Sequence, residues 1–160
     1  MKHPLILSLY FALCAVLPIP LQAGDRVPSP ETYVVVAVEG SYRGKMDVTM
    51  SKDKTFPGRP ATFVLHQGRL TCDFPKIGKM PGKIRIELPV EIDRNGKMTA
   101  QGECTAGVMK MPLGFKVKLR LEALEDARIS GHQLSFVLKV YGQAMGAKFP
   151  TTIHFVGQQP

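Results

Sequence analysis

The chain has 160 residues, of which 44% are hydrophobic, and a formal net charge of +8 at pH 7. This length corresponds to one domain with a core of its own. The chain has no Trp, and its basic residues are spread out. We therefore exclude a nucleic-acid interface that combines a basic patch with stacking aromatic side chains. Attraction to an anionic lipid, a glycan or an acidic protein stays open.

The first residues have the pattern of a secretory signal peptide. A basic start is followed by an apolar run over residues 5–17, and Ala23 ends a small-residue cleavage pattern. The run is too short to span a bilayer. We therefore expect a signal peptide over residues 1–23, no transmembrane span, and a secreted or periplasmic protein after cleavage following Ala23.

Two features near the start of the chain have alternative interpretations. Cys14 lies in the apolar run, as a lipid-modified cysteine would. Leu13 is bulky where a lipoprotein signal has a small residue, so we do not expect a lipoprotein. Residues 24–40 contain a Pro-Ser-Pro sequence and form a linker or N-terminal extension. Residues 33–38 are apolar enough to pack along the domain or to extend its first strand.

Apolar and polar residues alternate along most of the remaining chain. A period of two is typical of a strand with one buried and one solvated face, and eight such segments occur. We interpret residues 122–129 as a strand end and a loop, with a helical turn as the alternative. The side chains predicted to face inward are, in chain order, Tyr42, Gly44, Met46, Val48, Met50, Phe63, Leu65, Leu70, Cys72, Phe74, Ile84, Ile86, Leu88, Val90, Ile92, Met98, Ala100, Gly102, Cys104, Phe115, Val117, Leu119, Leu121, Leu134, Phe136, Leu138, Val140, Ile153 and Phe155.

Eight strands joined in sequence, each with one apolar face, predict an all-β fold. We expect an eight-stranded up-and-down antiparallel barrel over residues 41–160, because closure also removes exposed sheet edges. Pro89 lies within a predicted strand and cannot donate a ladder hydrogen bond, so we expect a bulge, a bend or an incomplete seam there. A sandwich of two four-stranded sheets is the alternative.

The connections between the predicted strands are of two kinds, which alternate along the chain. Tight polar turns, among them a strong hairpin signal at Asn95-Gly96, would lie at one plain end of the barrel. The tight turns are Gln67-Gly68, Arg94-Asn95-Gly96 and Ser130-Gly131-His132, and the longer connections, which carry Gly, Met and Lys and would lie at the opposite end, are 75–83, 105–114 and 142–149.

Three stretches of the chain resemble a known family. Residues 40–46, 74–84 and 96–103 are similar to the calycin-like domain of secreted proteins from Bacteroides-group bacteria, a resemblance that covers residues 40–155. It implies an eight-stranded barrel related in shape to lipocalins and leaves the activity largely undefined. Gly40-Ser41-Tyr42 also resembles the lipocalin Gly-x-Trp sequence, with Tyr in place of Trp.

Cys72 and Cys104 are the two cysteines beyond the predicted signal peptide. One predicted hairpin pairs Cys72 with Ile86, and the next pairs Ile86 with Cys104. The cysteines would then lie in one row, two strands and about 9–10 Å apart, beyond the limit of about 7 Å between Cα atoms for a disulfide. We expect free, buried thiols. A slipped register would allow a disulfide, which export permits.

The end with the longer connections is the predicted site. Met is a flexible apolar residue suited to adaptable binding surfaces, and several Met residues occur there beside Lys. We expect a small hydrophobic or amphipathic molecule to bind at this end; alternatively, the same side chains plug the barrel, and the protein is an interaction or inhibitor module with a filled core. The predicted site residues are Phe56, Arg59, Lys79, Met80, Met109, Lys110, Met111, Met145 and Lys148.

Metal binding and catalysis are the remaining classes of function. Met109 and Met111 with Cys104 and a histidine are ligands that Cu(I) accepts, but their spacing matches no recognised metal motif, so we expect no metal and no cofactor. The histidines are scattered, and no nucleophile motif or paired carboxylates accompany them. We therefore expect no enzymatic activity.

Overall fold

Nine β-strands account for most of the described chain. The computed structural model describes residues 39–50, 54–78 and 82–160, so the predicted signal peptide and nearly all of the predicted linker lie outside the described residues. No helix in these three ranges is long and apolar enough to cross a membrane. The strands are β1 (Gly40–Met50), β2 (Lys54–His66), β3 (Arg69–Phe74), β4 (Lys83–Ile92), β5 (Met98–Ala100), β6 (Thr105–Lys110), β7 (Lys116–Ser130), β8 (Gln133–Ala144) and β9 (Ala147–Gln158), with one 3₁₀ turn at Pro112–Gly114.

The strands close into a ring. Each ring strand pairs antiparallel with its neighbours, the first with the last through the β1–β9 ladder, and β3 with β4. The ring contains eight strands, because β5 pairs only with one end of β4. The predicted eight-stranded up-and-down antiparallel barrel is therefore confirmed, and the alternative sandwich of two sheets is wrong.

The fifth position of the ring differs from its prediction. We expected one continuous strand over residues 98–104 and a loop over 105–114. Instead, β5 pairs with Val90–Ile92 and β6 pairs with Lys83–Ile86. Pro89 lies between these two partners on β4, which is the incomplete seam expected from its missing N–H. The connection before β7 is limited to residues 111–115, so the predicted loop over 105–114 began too early, and an unpaired stretch over residues 101–104 separates β5 from β6.

Two other connections were also mispredicted. Residues 122–129 belong to β7, which continues to Ser130 and takes up two register irregularities. Residues 142–149 form the end of the β8–β9 hairpin, whose turn is only Met145-Gly146, with positive φ angles at both residues. By contrast, the tight turn at Gln67-Gly68 is confirmed and has the same pair of positive φ angles, which two-residue hairpins prefer.

The core follows the predicted alternation. On β1–β4, β8 and β9, all side chains predicted to face inward are buried or half-buried. A period of two requires this when one face of a strand packs on the core. Two predictions on other segments are wrong. Gly102 is exposed because it lies in the break between β5 and β6, and Phe115 is 68% exposed because it precedes β7 and follows the 3₁₀ turn.

Both described cysteines are free thiols, as predicted, although the register differs in part. Cys72 does pair with Ile86, but the partner of Ile86 on the next strand is Gly107 rather than Cys104. The break before β6 moves Cys104 out of the predicted row. Cys104 is therefore only half-buried, which corrects the expectation that both thiols are buried.

Candidate functional site

An apolar cavity occupies one end of the barrel. This end, which we call the mouth, carries the β3–β4, β6–β7 and β8–β9 connections, and the cavity has a volume of about 500 Å³. Side chains from β1, β2, β6, β7, β8 and β9 contribute to it. Its lining residues are Met50, Lys54, Phe56, Met109, Met111, Val117, Gly142, Ala144, Met145, Ala147, Phe149, Pro150 and Thr151.

Small residues near the β8–β9 turn create the space for this mouth cavity. Deeper in the barrel, the inward positions of β8 carry Leu138 and Val140, which are fully buried. The next two inward positions are Gly142 and Ala144, which leave the wall thin. A Cβ atom at Gly142 would lie 3.1 Å from Val117 Cγ1, so even one added methyl group would press on a side chain of the neighbouring strand β7.

The other half of the barrel is filled. Phe63, Phe136 and Phe155 are at most 2% exposed and pack against one another, with ring centroids 4.6–5.4 Å apart. Such distances are typical of favourable aromatic pairs. The barrel therefore holds a cavity at the mouth above a packed aromatic cluster in its closed half.

The structure brings four of the predicted site residues together. Phe56, Met109, Met111 and Met145 all line the mouth cavity. Met109 is buried, whereas Met145 is fully exposed at the tip of the β8–β9 turn. Lys79 and Met80 lie outside the described residues.

The predicted basic residues lie elsewhere. Arg59 is exposed on β2 and lines neither the mouth cavity nor the groove described below. Lys110 lines a separate shallow depression with Asp73 and Arg85. The Nζ atom of Lys148 lies 4.0 Å from the centroid of the Tyr141 ring, a cation–π distance. The cation that does line the mouth cavity is Lys54, which the sequence analysis did not select.

A second depression, the outer groove, lies against the wall of the barrel beside the mouth. It has a volume of about 720 Å³. Its lining combines apolar side chains with three cations of β7. The lining residues are Met111, Pro112, Phe115, Lys116, Val117, Lys118, Arg120, Gln143, Ala144 and Met145. The spacing of the three cations is that of any solvated strand face, so the sequence alone did not indicate a site there.

Thr151 is the buried polar side chain identified in the described part of the barrel, and it is 5% exposed. It lies on the inner face of β9 and lines the mouth cavity. Its hydroxyl group can donate and accept a hydrogen bond. A mainly apolar cavity with a few polar groups, here Thr151 and Lys54, is the usual composition of a small-molecule site.

The described residues do not assemble the alternative copper site. Cys104 precedes β6 and Met109 lies five residues further on, which is about 16 Å along an extended strand. Within the described ranges, no group of three or more His, Cys, Asp or Glu side chains is placed to hold a metal ion.

The described histidines and cysteines line neither the mouth cavity nor the outer groove. His66, His132 and His154 are exposed, and no described histidine lines the mouth cavity or the outer groove. Burial, with a further contribution from the neighbouring carboxylate of Asp73, raises the pKa of the Cys72 thiol to about 12. A thiol that stays protonated is a poor nucleophile.

Comparison with known proteins adds no assignment. No protein-family model, no curated protein and no solved structure matches the chain. The closed eight-stranded barrel agrees with the fold implied by the resemblance to calycin-like domains, and the shared feature is the fold alone.

Proposed function

We propose that the protein is a non-catalytic β-barrel that binds a small hydrophobic or amphipathic molecule in the mouth cavity, without a cofactor. The observation that carries this proposal is the cavity itself. Its volume of about 500 Å³ falls within the range of about 300–1,000 Å³ typical of small-molecule sites. A barrel of eight strands has room for one small ligand when its interior side chains do not fill it.

The lining of the mouth cavity supports an apolar ligand. The apolar lining includes one aromatic side chain and several flexible Met side chains, which adapt to ligands of irregular shape. These residues are Phe56, Met50, Met109 and Met111. Thr151 and Lys54 offer polar contacts at two points of the wall. Such a lining favours a molecule that is mainly apolar and carries one or two polar groups.

The proposal is tested by narrowing the cavity. We expect wild-type protein to bind the uncharged fluorescent probe N-phenyl-1-naphthylamine, and Ala144→Phe to weaken binding about tenfold or more, because the added ring takes up cavity volume. Ser135→Phe is the matched control, since Ser135 lies on the outward face of the same strand. Equal affinities of the two variants, with both folded, would contradict the proposal.

Native mass spectrometry tests the same proposal without a chosen probe. We expect protein purified from its own source to carry extra mass that denaturation releases, and the value of this mass narrows the chemical class of the ligand. A bare polypeptide mass in freshly isolated protein would favour the alternative function instead.

That alternative is a protein-interaction or inhibitor module. The observation that favours it is a group of exposed apolar side chains near the mouth: Leu113 is 93% exposed, Phe115 68% and Phe149 44%. Contiguous exposed apolar surface marks interaction sites. Leu113 does not line the mouth cavity, so Leu113→Ser should weaken association with a protein partner and leave the affinity for the naphthylamine probe unchanged.

Export and family membership are also proposals. The sequence pattern supports cleavage after Ala23, and the intact mass of the exported protein tests it. The fold supports membership of the calycin-like domain family from secreted Bacteroides-group proteins. An intermediate sequence with significant similarity both to this chain and to a member of that family would be the test.

A further inference from the structure

Strands β7 and β8 separate at the mouth. Their backbone ladder begins at the pair Leu119–Gly142, although both strands continue beyond it. Residues 116–118 pair only with β6, and residues 143–144 pair only with β9. The wall of the barrel therefore lacks backbone pairing between β7 and β8 next to the β8–β9 turn, and we call this break in the ladder the gap.

The mouth cavity and the outer groove meet at this gap. Four residues line both of them: Met111, Val117, Ala144 and Met145. Val117 and Ala144 lie on the two strand segments that border the gap. The mouth cavity and the outer groove therefore share an apolar boundary at this gap.

Three cations lie on the outer side of the gap. Lys116, Lys118 and Arg120 alternate along the outward face of β7 and are exposed, so neighbouring side chains start about 7 Å apart. None of them forms an ion pair within the described part of the chain. The next outward residue, Glu122, lies 3.8 Å from Lys148 and forms no ion pair with Arg120.

Apolar side chains flank these cations on the side of the cavity. Phe115 and Met145 are 68% and 106% exposed and line the outer groove. Exposure of a large aromatic ring and a Met side chain costs hydrophobic free energy, in proportion to the apolar area left in water. The groove thus presents both exposed apolar and cationic side chains beside the gap.

We propose that the gap between β7 and β8 is a lateral portal for an amphipathic anion, a molecule with an apolar tail and a carboxylate or phosphate head. The tail passes between Val117 and Ala144 into the mouth cavity, and the head stays outside on Lys116, Lys118 and Arg120. This inference rests on the proposed function, because the tail occupies the mouth cavity. It adds the charge of the ligand and the position of its head group.

The test compares two probes that differ in charge at one end. Dansyl-undecanoate carries a free carboxylate, and its methyl ester carries the same tail without charge. We expect the triple variant Lys116→Gln, Lys118→Gln and Arg120→Gln to bind the carboxylate probe about tenfold more weakly at low ionic strength, as the loss of three exposed charge contacts implies. Binding of the ester should stay within about twofold of wild type, a difference too small to reflect a lost charge contact.

A matched control removes the same net charge elsewhere. Arg43, Lys45 and Lys97 are exposed and line neither depression, so their triple substitution by Gln should leave both affinities near wild type. Gln143→Glu is an independent single variant at the portal. It places a carboxylate in the outer groove and should weaken binding of the carboxylate probe but not of the ester. Added salt should reduce the wild-type preference for the carboxylate probe.

The outcomes separate the portal from the proposed function. If wild type binds both probes and the portal variants change neither affinity, or change both equally, the portal is wrong and the mouth cavity stands. A loss of carboxylate affinity as large in the control triple variant would also overturn it, because net charge would then explain the effect. If wild type binds neither probe, the proposed function and the portal both fail.

Discussion

Two phenylalanines offer a direct test of which side chains form the core. Phe63 is fully buried and contacts Phe136 and Phe155 through ring centroids 4.9 and 4.6 Å away. Phe115 is 68% exposed, although the alternation of its segment predicts that it faces inward. Phe63→Ala and Phe115→Ala delete the same atoms from these two environments.

The expected losses of unfolding free energy differ by several-fold between the two variants. Phe→Ala in a packed core costs about 3–5 kcal/mol of unfolding free energy, and Phe63 belongs at the upper end because each aromatic contact contributes about 0.5–1.5 kcal/mol beyond its buried area. Exposed positions usually change stability by no more than about 0.5 kcal/mol. We therefore expect a loss of about 4–5 kcal/mol for Phe63→Ala and of less than about 1 kcal/mol for Phe115→Ala.

Urea unfolding measures both losses. A lower midpoint with an unchanged slope indicates a change in stability alone. If Phe63→Ala leaves too little folded protein, Phe63→Leu provides a smaller loss of the same sign, since Leu keeps part of the buried volume. Equal losses for the alanine variants would refute the reasoning, because Phe115 would then be a core residue. A loss below about 1 kcal/mol at Phe63 would show that the closed half of the barrel is not packed.

Three further predictions use the same measurement. Gly44→Ala should cost at least about 2 kcal/mol, because its Cβ would lie 2.0 Å from the Val156 carbonyl oxygen; Gly142→Ala, which meets only side-chain methyls, should cost less, and the reverse order would contradict the β1–β9 seam. The pKa of Cys72 is raised to about 12, so the folded state favours the neutral thiol. Burial of the neutral Cys72 thiol contributes fully to stability below the usual thiol pKa of about 8.5, and this contribution is lost as pH rises towards 12. Cys72→Ala should therefore reduce the loss of unfolding free energy over this pH range, and an unchanged pH profile of stability would contradict the raised pKa. The Asp93 carboxylate accepts hydrogen bonds from two backbone amides at 2.8 and 2.9 Å, so Asp93→Ala should cost about 1 kcal/mol, whereas a neutral effect would mean that water replaces these bonds.

The inward faces of the strands could be predicted because the signal is local. Tyr42, Met46 and Val48 on β1, and Phe136 and Leu138 on β8, are buried as their alternation indicates. The period of two by itself places the apolar side chains of each strand on one face. Closure into a barrel is then favoured for two reasons. It buries the apolar faces of all eight strands, and it leaves no open sheet edge with unpaired backbone groups.

The break in the fifth strand could not be predicted in this way. Met98, Ala100 and Cys104 share one parity, as a continuous strand would require, yet the ladder stops at Ala100 and resumes at Thr105. The register of β6 on β4 depends on close contact between these two strands. A Cβ at Gly107 would lie 2.2 Å from the Arg85 carbonyl oxygen, and such an approach between distant residues leaves no periodic signal.

The site was predictable in part. Phe56, Met109, Met111 and Met145 were selected by residue type and by the end of the barrel at which they lie, and all four line the mouth cavity. Of the basic residues, Lys79 and Lys110 were chosen because each directly precedes a Met in the chain. Which cations face the cavity depends on strand parity and on neighbouring strands, so Lys110 and Lys148 lie outside it.

By itself, the sequence determined the fold class and the inward faces of most strands, since alternation and tight turns act over a few residues. It also indicated the end of the barrel where apolar flexible side chains collect. The tertiary structure decided the partners of β4, the exposure of Phe115 and the gap between β7 and β8. These features depend on how far strands stay paired, and that distance is set by backbone contacts between residues far apart in the chain. The small residues Gly142 and Ala144 line a cavity only when the barrel closes and brings Val117 of β7 next to them.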